Sequence, residues 1–194
     1  YGAIRGQEGV FMSDSFQFNE PDEDYVKMPE MDINGSSISV SFWMKKEGDW
    51  GGAGGSPDTA LILGTDAGWN PGKELRLGEH ETYGFMWTFY EGGGTGPSLF
   101  HGVKNLEPPE KEKWVHLVGT YNKSSGNWRL YKNVELWAEN TDSVNMDLGI
   151  QESNSIGRGG EPGMVTTYSF NGKIDEFRIY NRSLKYEEVK ELYN

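Results

Sequence analysis

The sequence predicts an all-β protein, two antiparallel sheets packed face to face, with one short helix at its C-terminal end. Short runs of alternating apolar and polar residues recur along the chain, separated by turn residues. Roughly a dozen such runs follow at regular spacing, the pattern of a sandwich or barrel. Glycine reaches 27 of 194 residues and aromatics 13%, while all hydrophobic residues together make up only 35%. Few aliphatics, many aromatics and many glycines suit short strands joined by long loops.

Residues 13–19 alternate as a half-buried strand does, and the acidic loop Glu20-Pro21-Asp22-Glu23-Asp24 follows. Residues 25–28 form a short strand stopped by Pro29, and Asn34-Gly35 is a turn. Residues 37–45 give the clearest strand: Ile38, Val40, Phe42 and Met44 share one face, and Ser39, Ser41 and Trp43 the other. The glycine-rich residues 48–58 read as a long loop, residues 60–63 as a buried strand and residues 66–72 as a second loop. Residues 74–77 and 83–90 read as paired strands, followed by a third glycine loop at 92–97. Residues 114–121 are apolar on both faces and therefore central, and the turn at 122–126 makes a hairpin with residues 128–132. Strands at 135–138 and 170–180 follow, and between them residues 153–160 run from strand to loop. Ser183 then caps a helix over 184–193, with Glu187 and Glu188 in its first turn and Val189, Leu192 and Tyr193 on one apolar face. Nothing divides the chain, so residues 1–194 are expected to be a single domain.

A net charge of −12 argues against nucleic acid, which needs a basic stripe, and against an anionic membrane surface. It also disfavours a polyanionic glycan unless a local basic patch exists, and no Lys/Arg cluster is visible along the chain. The absence of cysteine removes disulfides, thiolate metal sites and cysteine nucleophiles. No apolar run of about 18 residues is present, so no membrane insertion is expected. A chain opening at Tyr1 with no secretory signal pattern is expected to be a piece of a larger one.

Sugar rings present apolar C–H faces that stack on Trp or Tyr, while neighbouring polar groups bond the hydroxyls. Trp50 and Trp69 stand in glycine-rich loops and are candidate ligand platforms, as is Trp87, which faces opposite to Tyr90 on its strand. Asp66, Asn70 and Arg158 are candidate polar partners. Trp43, Trp114 and Trp128 read as core, and His116 as a satisfied sheet histidine. Asp175 and Glu176 are adjacent, so alternation points them to opposite faces and they cannot flank one bond. Glu79-His80-Glu81 sets two carboxylates on one face without a third partner.

Taken in order, Phe16-Gln17-Phe18-Asn19 with Asp24-Tyr25-Val26, residues 39–45, residues 114–121 with Arg129-Leu130-Tyr131, Ser155-Ile156-Gly157-Arg158 and residues 170–184 resemble laminin-G-like domains of the concanavalin A-like lectin/glucanase superfamily. The resemblance spans Phe16 to Tyr193. It implies a jelly roll, secreted or at the cell surface, recognising a glycan or polysaccharide without catalysis, as an appendage of a larger protein. The alternative it leaves is a module that adheres to a surface protein; a hydrolase or lyase is disfavoured, because the Glu-x-Asp-x-x-Glu run of glucanase relatives is missing. By the same analogy, one Ca²⁺ would sit between Asp24 and Asp175, with carbonyls near Asn19 and Glu20. In one departure, the central hairpin turns through Asn133-Val134 instead of Asn-Gly; valine resists positive φ, which predicts a different turn.

Overall fold

The computed structural model describes residues 2–11, 14–19, 24–29, 31–34, 37–48, 58–64, 73–80, 84–91, 99–144, 146–151, 154–159 and 168–194. The first strands are β1 (Ile4–Glu8), β2 (Asp14–Phe18), β3 (Val26–Lys27), β4 (Met31–Asn34), β5 (Ile38–Lys46) and β6 (Asp58–Gly64). Next come β7 (Lys73–His80), β8 (Gly84–Glu91), β9 (Leu99–Asn105), β10 (Trp114–Asn122), β11 (Asn127–Lys132) and β12 (Glu135–Thr141). The last are β13 (Asp147–Gln151), β14 (Ser155–Ile156), β15 (Arg158–Gly159), β16 (Tyr168–Ser169) and β17 (Gly172–Tyr180), followed by the helix α1 (Tyr186–Tyr193).

A seven-stranded sheet runs β1-β2-β17-β5-β10-β11-β12 and a six-stranded sheet runs β3-β14-β6-β7-β8-β9, all ladders antiparallel. This is the jelly-roll sandwich that the alternation predicts. β5 and β10 lie inside the larger sheet and face the core through Val40, Phe42, Met44, Val115, Leu117 and Tyr121. Opposite them stand Leu75, Leu77, Phe85, Trp87, Phe89 and Val103 of the smaller sheet.

Trp87 is a correction. It is 0% exposed and packs edge-on against Trp128 at 6.0 Å, so it belongs to the core and faces no ligand. Gly119 makes room for it: a Cβ there would stand 2.6 Å from the indole. Trp43 instead lies on the outer face of the larger sheet, stacked on Tyr193 of α1 at 5.2 Å and covered by Phe11. Beneath the same helix, Val118, Tyr131, Leu184 and Val189 form a second apolar cluster.

Other local expectations change too. The helix N-cap is Lys185 and not Ser183; Glu188 folds back to accept the Lys185 N–H at 2.8 Å. β17 carries a bulge between Asp175 and Arg178, with Glu176 at φ 51, and this breaks the alternation assumed for Asp175-Glu176. Glu176 pairs with Arg178, while Phe177 stacks on Phe42 at 6.0 Å.

The β11–β12 turn adopts positive φ at both Asn133 (49) and Val134 (75), so the valine accepts the strained conformation. Asn133 holds it there: its N–H reaches the His116 carbonyl at 2.9 Å, and its Oδ1 accepts the His116 N–H at 2.9 Å. Val134→Gly is therefore expected to raise stability by about 0.5–1 kcal/mol, the relieved strain less the added chain entropy. Urea unfolding measures this; a loss of stability would show that the valine is unstrained.

Candidate functional site

The outer face of the six-stranded sheet carries a groove of about 500 Å³, lined by Met86 and Thr88 of β8, Phe100, Gly102, Val103 and Lys104 of β9, and Glu139 and Asn140 of β12. Strand alternation builds it. Phe85, Trp87 and Phe89 turn inward, which turns Met86, Thr88 and Tyr90 outward. The ladder to β9 sets Tyr90 opposite Phe100, Thr88 opposite Gly102 and Met86 opposite Lys104. On the other side Arg76 stands opposite Thr88.

An apolar platform occupies one end. Phe100 is 50% exposed, and its ring centroid lies 5.0 Å from that of Tyr90. The Arg76 guanidinium sits 5.6 Å from the Tyr90 ring centroid on its far side. The Lys104 ammonium marks the other end, four residues along β9, or ~13 Å. Between them the floor is bare, because a Cβ at Gly102 would strike the Trp87 carbonyl and the Thr88 backbone. Thr88 is 5% exposed, and its Oγ1 has no hydrogen-bond partner among the described residues.

The groove wall is pinned without a backbone ladder. β9 and β12 belong to different sheets, and side chains join their edges. Asn140 Nδ2 donates to the Gly102 carbonyl at 2.8 Å, Asn105 Nδ2 to the Trp137 carbonyl at 2.9 Å, and His101 Nδ1 meets Asp142 at 2.9 Å. Glu139 on the rim is held by Arg129 Nε at 3.3 Å.

A laminin-G-type family model, described as the concanavalin A-like lectin/glucanases superfamily, matches residues 20–190. The chain belongs to this superfamily. No match was found among curated protein sequences. Among solved structures, the concanavalin A-like chain is similar to domain 4 of AbnA, a GH43 extracellular arabinanase from Geobacillus stearothermophilus, in complex with arabinotriose (20% identity, TM-score 0.72, 100% of this chain and 82% of that one). It is also similar to the Ruminococcus gnavus IT-sialidase CBM40 bound to α2,3 sialyllactose (13% identity, TM-score 0.61, 88% and 97%). A third is a carbohydrate-binding protein assigned as such in Bacteroides ovatus, of whose chain 45% is covered (17% identity, TM-score 0.59, 91% of this chain). At these identities the likeness is one of fold.

The residues singled out in this concanavalin A-like sequence are only partly brought together. Trp50, Trp69, Asp66, Asn70 and Glu20 lie outside the described residues. Arg158 lies in the short β15–β16 ladder. Phe100, Thr88, Lys104 and Arg76 were not singled out. Leu99, His101 and Val103 alternate with Phe100, Gly102 and Lys104, a strand signal in the sequence, but histidine and glycine dilute it.

Glu79 does not present itself to a cleft. It is 7% exposed and forms an ion pair at 3.6 Å with Lys46, across the two sheets.

Asp24 and Asp175, the candidate calcium ligands, are each engaged by N–H donors. Asp24 Oδ2 accepts both the backbone N–H and the Nδ2 of Asn19 at 3.1 Å, closing its own loop. Asp175 accepts the Val10 N–H at 3.0 Å and the Glu176 N–H at 2.8 Å, and its ladder partner is Trp43. Phe18, beside Asn19, pairs with Gly172, three residues or ~10 Å along β17 from Asp175. Among the described residues, no three His, Cys, Asp or Glu side chains gather as a metal would need. The Val10 N–H donated to Asp175 ties the chain's end to its beginning.

Proposed function

We propose that the chain is a non-catalytic carbohydrate-binding module, acting outside the cell as an appendage of a larger protein, with a saccharide lying along the groove of β8 and β9. The observation that carries this reading is the half-exposed Phe100 ring, set against Tyr90 at one end of the groove. A sugar ring supplies a C–H face for the phenyl and hydroxyls for Asn140 and Arg76. The volume lies in the usual range for small-ligand sites, ~300–1,000 Å³. The arabinotriose and sialyllactose held by two structures of this fold support it, as does the extracellular arabinanase that one of them belongs to. Trp50, Trp69, Asp66 and Asn70 are proposed as further ligand contacts.

Affinity electrophoresis against a panel of polysaccharides tests this. Phe100→Ala is expected to weaken retention about tenfold, the loss of one aromatic contact, with an unchanged melting temperature. Retention equal to wild type would place the sugar elsewhere.

A second reading, adhesion to a surface protein, draws on the opposite sheet. There Leu136 (48% exposed) and Tyr186 (50%) flank Tyr131. Leu136→Asp would abolish partner binding under that reading and leave saccharide retention intact under the first.

A further inference from the structure

We propose that α1 is an acid-released strap, which lifts off the outer face of the seven-stranded sheet when the His116 ring beneath it takes up a proton, while the sandwich stays folded. The helix is held unevenly. Its entry is fastened to β5 by hydrogen bonds: Ser39 Oγ donates to the Arg182 carbonyl at 2.9 Å and accepts the Leu184 N–H at 2.9 Å. Arg182 grips Glu188, and Glu188 also accepts the Lys185 N–H. These bonds, the Arg182 one first, hold the Glu188 carboxyl down at about 2, so this end keeps its charges in mild acid. The last turn rests on rings instead: Tyr193 stacks on Trp43 at 5.2 Å and tilts against His116 at 5.9 Å. Leu184 and Val189 belong to a small apolar cluster of their own, apart from the main core. An eight-residue helix is marginal in water, so α1 keeps its shape only while docked.

The floor under the last turn carries orphaned polar groups. His116 is 1% exposed and Trp43 6%, yet His116 Nδ1 and Trp43 Nε1 have no hydrogen-bond partner among the described residues. The ring's one side-chain bond is to Ser41 Oγ, at 2.9 Å. A protonated ring presents two N–H donors and finds one acceptor. The charged groups around it, among the described residues, supply no second one. Arg178 of β17 is bound to Glu176, and Asp175, two strands away, accepts the Val10 and Glu176 N–H groups. Lys45 of β5 is bound to Glu112. β11 brings the Tyr131 phenol and Arg129, which is bound to Glu139. α1 brings the Tyr193 phenol, while its Glu187, Lys190 and Glu191 are exposed. Burial, and second the Arg178 charge, push the ring's pKa down to about 4. Water is the acceptor that a charged ring lacks there, and lifting Tyr193 admits it.

Native-state hydrogen exchange between pH 7 and pH 4 tests it, with rates corrected for the intrinsic effect of pH. The ring's pKa is about 4 when docked and 6.5 when released, so the opening constant read at the amides of residues 189–193 is expected to rise about a hundredfold across that range. The amides of β8 are expected to stay better protected than those of the helix at each pH, because the sandwich remains closed. In His116→Gln the helix is expected to lose most of that rise. A rise as large in the variant, or helix amides no less protected than those of β8, would overturn the proposal. The wild-type ring supplies a check that needs no variant: its NMR titration and the opening of the helix are expected to advance together. A protonated ring under a helix as well protected as at pH 7 would equally overturn it.

Discussion

Replacing Lys46 with methionine is expected to destabilise the protein by about 3–5 kcal/mol, a large part of the 5–15 kcal/mol that holds a typical domain folded. Lys46 is 4% exposed and Glu79 7%, and they meet at 3.6 Å between the two sheets. Removing the ammonium takes a counter-charge from a carboxylate that is almost fully buried, and the cost of that charge's desolvation dominates the loss. Lys46→Met combined with Glu79→Leu removes both charges, so the double variant is expected to recover most of the stability. Urea unfolding of the two variants provides the comparison. A double variant no more stable than Lys46→Met would show that the pair acts through packing and not through charge.

Acidification is expected to weaken the fold through His116. This side chain is 1% exposed beneath α1, tilted against Trp43 at 5.1 Å and Tyr193 at 5.9 Å, with Nε2 2.9 Å from Ser41 Oγ. Burial, and second the Arg178 charge, lower its pKa to about 4 from the usual 6.5. The unfolded chain takes up this proton more readily than the folded one. The stability tied to the neutral ring is complete above pH 6.5, declines as pH falls through that value, and is exhausted near pH 4. The span corresponds to about 3 kcal/mol. His116→Gln keeps a polar side chain without the titration, so its stability is expected to fall less between pH 7 and pH 4. Parallel declines in wild type and variant, followed by thermal melts across that range, would assign the acid loss to other groups.

How legible these features were in the sequence depends on the regularity around them. β5, the β10–β11 hairpin and β17 announce themselves by long, clean alternation. The inward row Ile38, Val40, Phe42, Met44 continues in step to Lys46, so the buried lysine was readable in the sequence. Trp87 was ambiguous because both faces of β8 are bulky, with Phe85, Trp87 and Phe89 against Met86, Thr88 and Tyr90. The clue to its direction was Gly119, a glycine in the middle of a central strand, which leaves space only for something large across the core. The bulge at Glu176 has no such sequence mark. The groove was hidden for a different reason. Its wall depends on β12 approaching β9 from another sheet through Asn105, Asn140 and His101–Asp142, a juxtaposition that no local pattern encodes.

The most direct test of the saccharide groove is backbone amide chemical-shift mapping during titration with arabinotriose and 3′-sialyllactose. The account predicts that the shifting amides cluster at residues 86–90 and 99–104, with 76 and 139–140, and that the shifts are lost in Phe100→Ala. Shifts confined to the outer face of the seven-stranded sheet, around Tyr131, Leu136 and Tyr186, would contradict it.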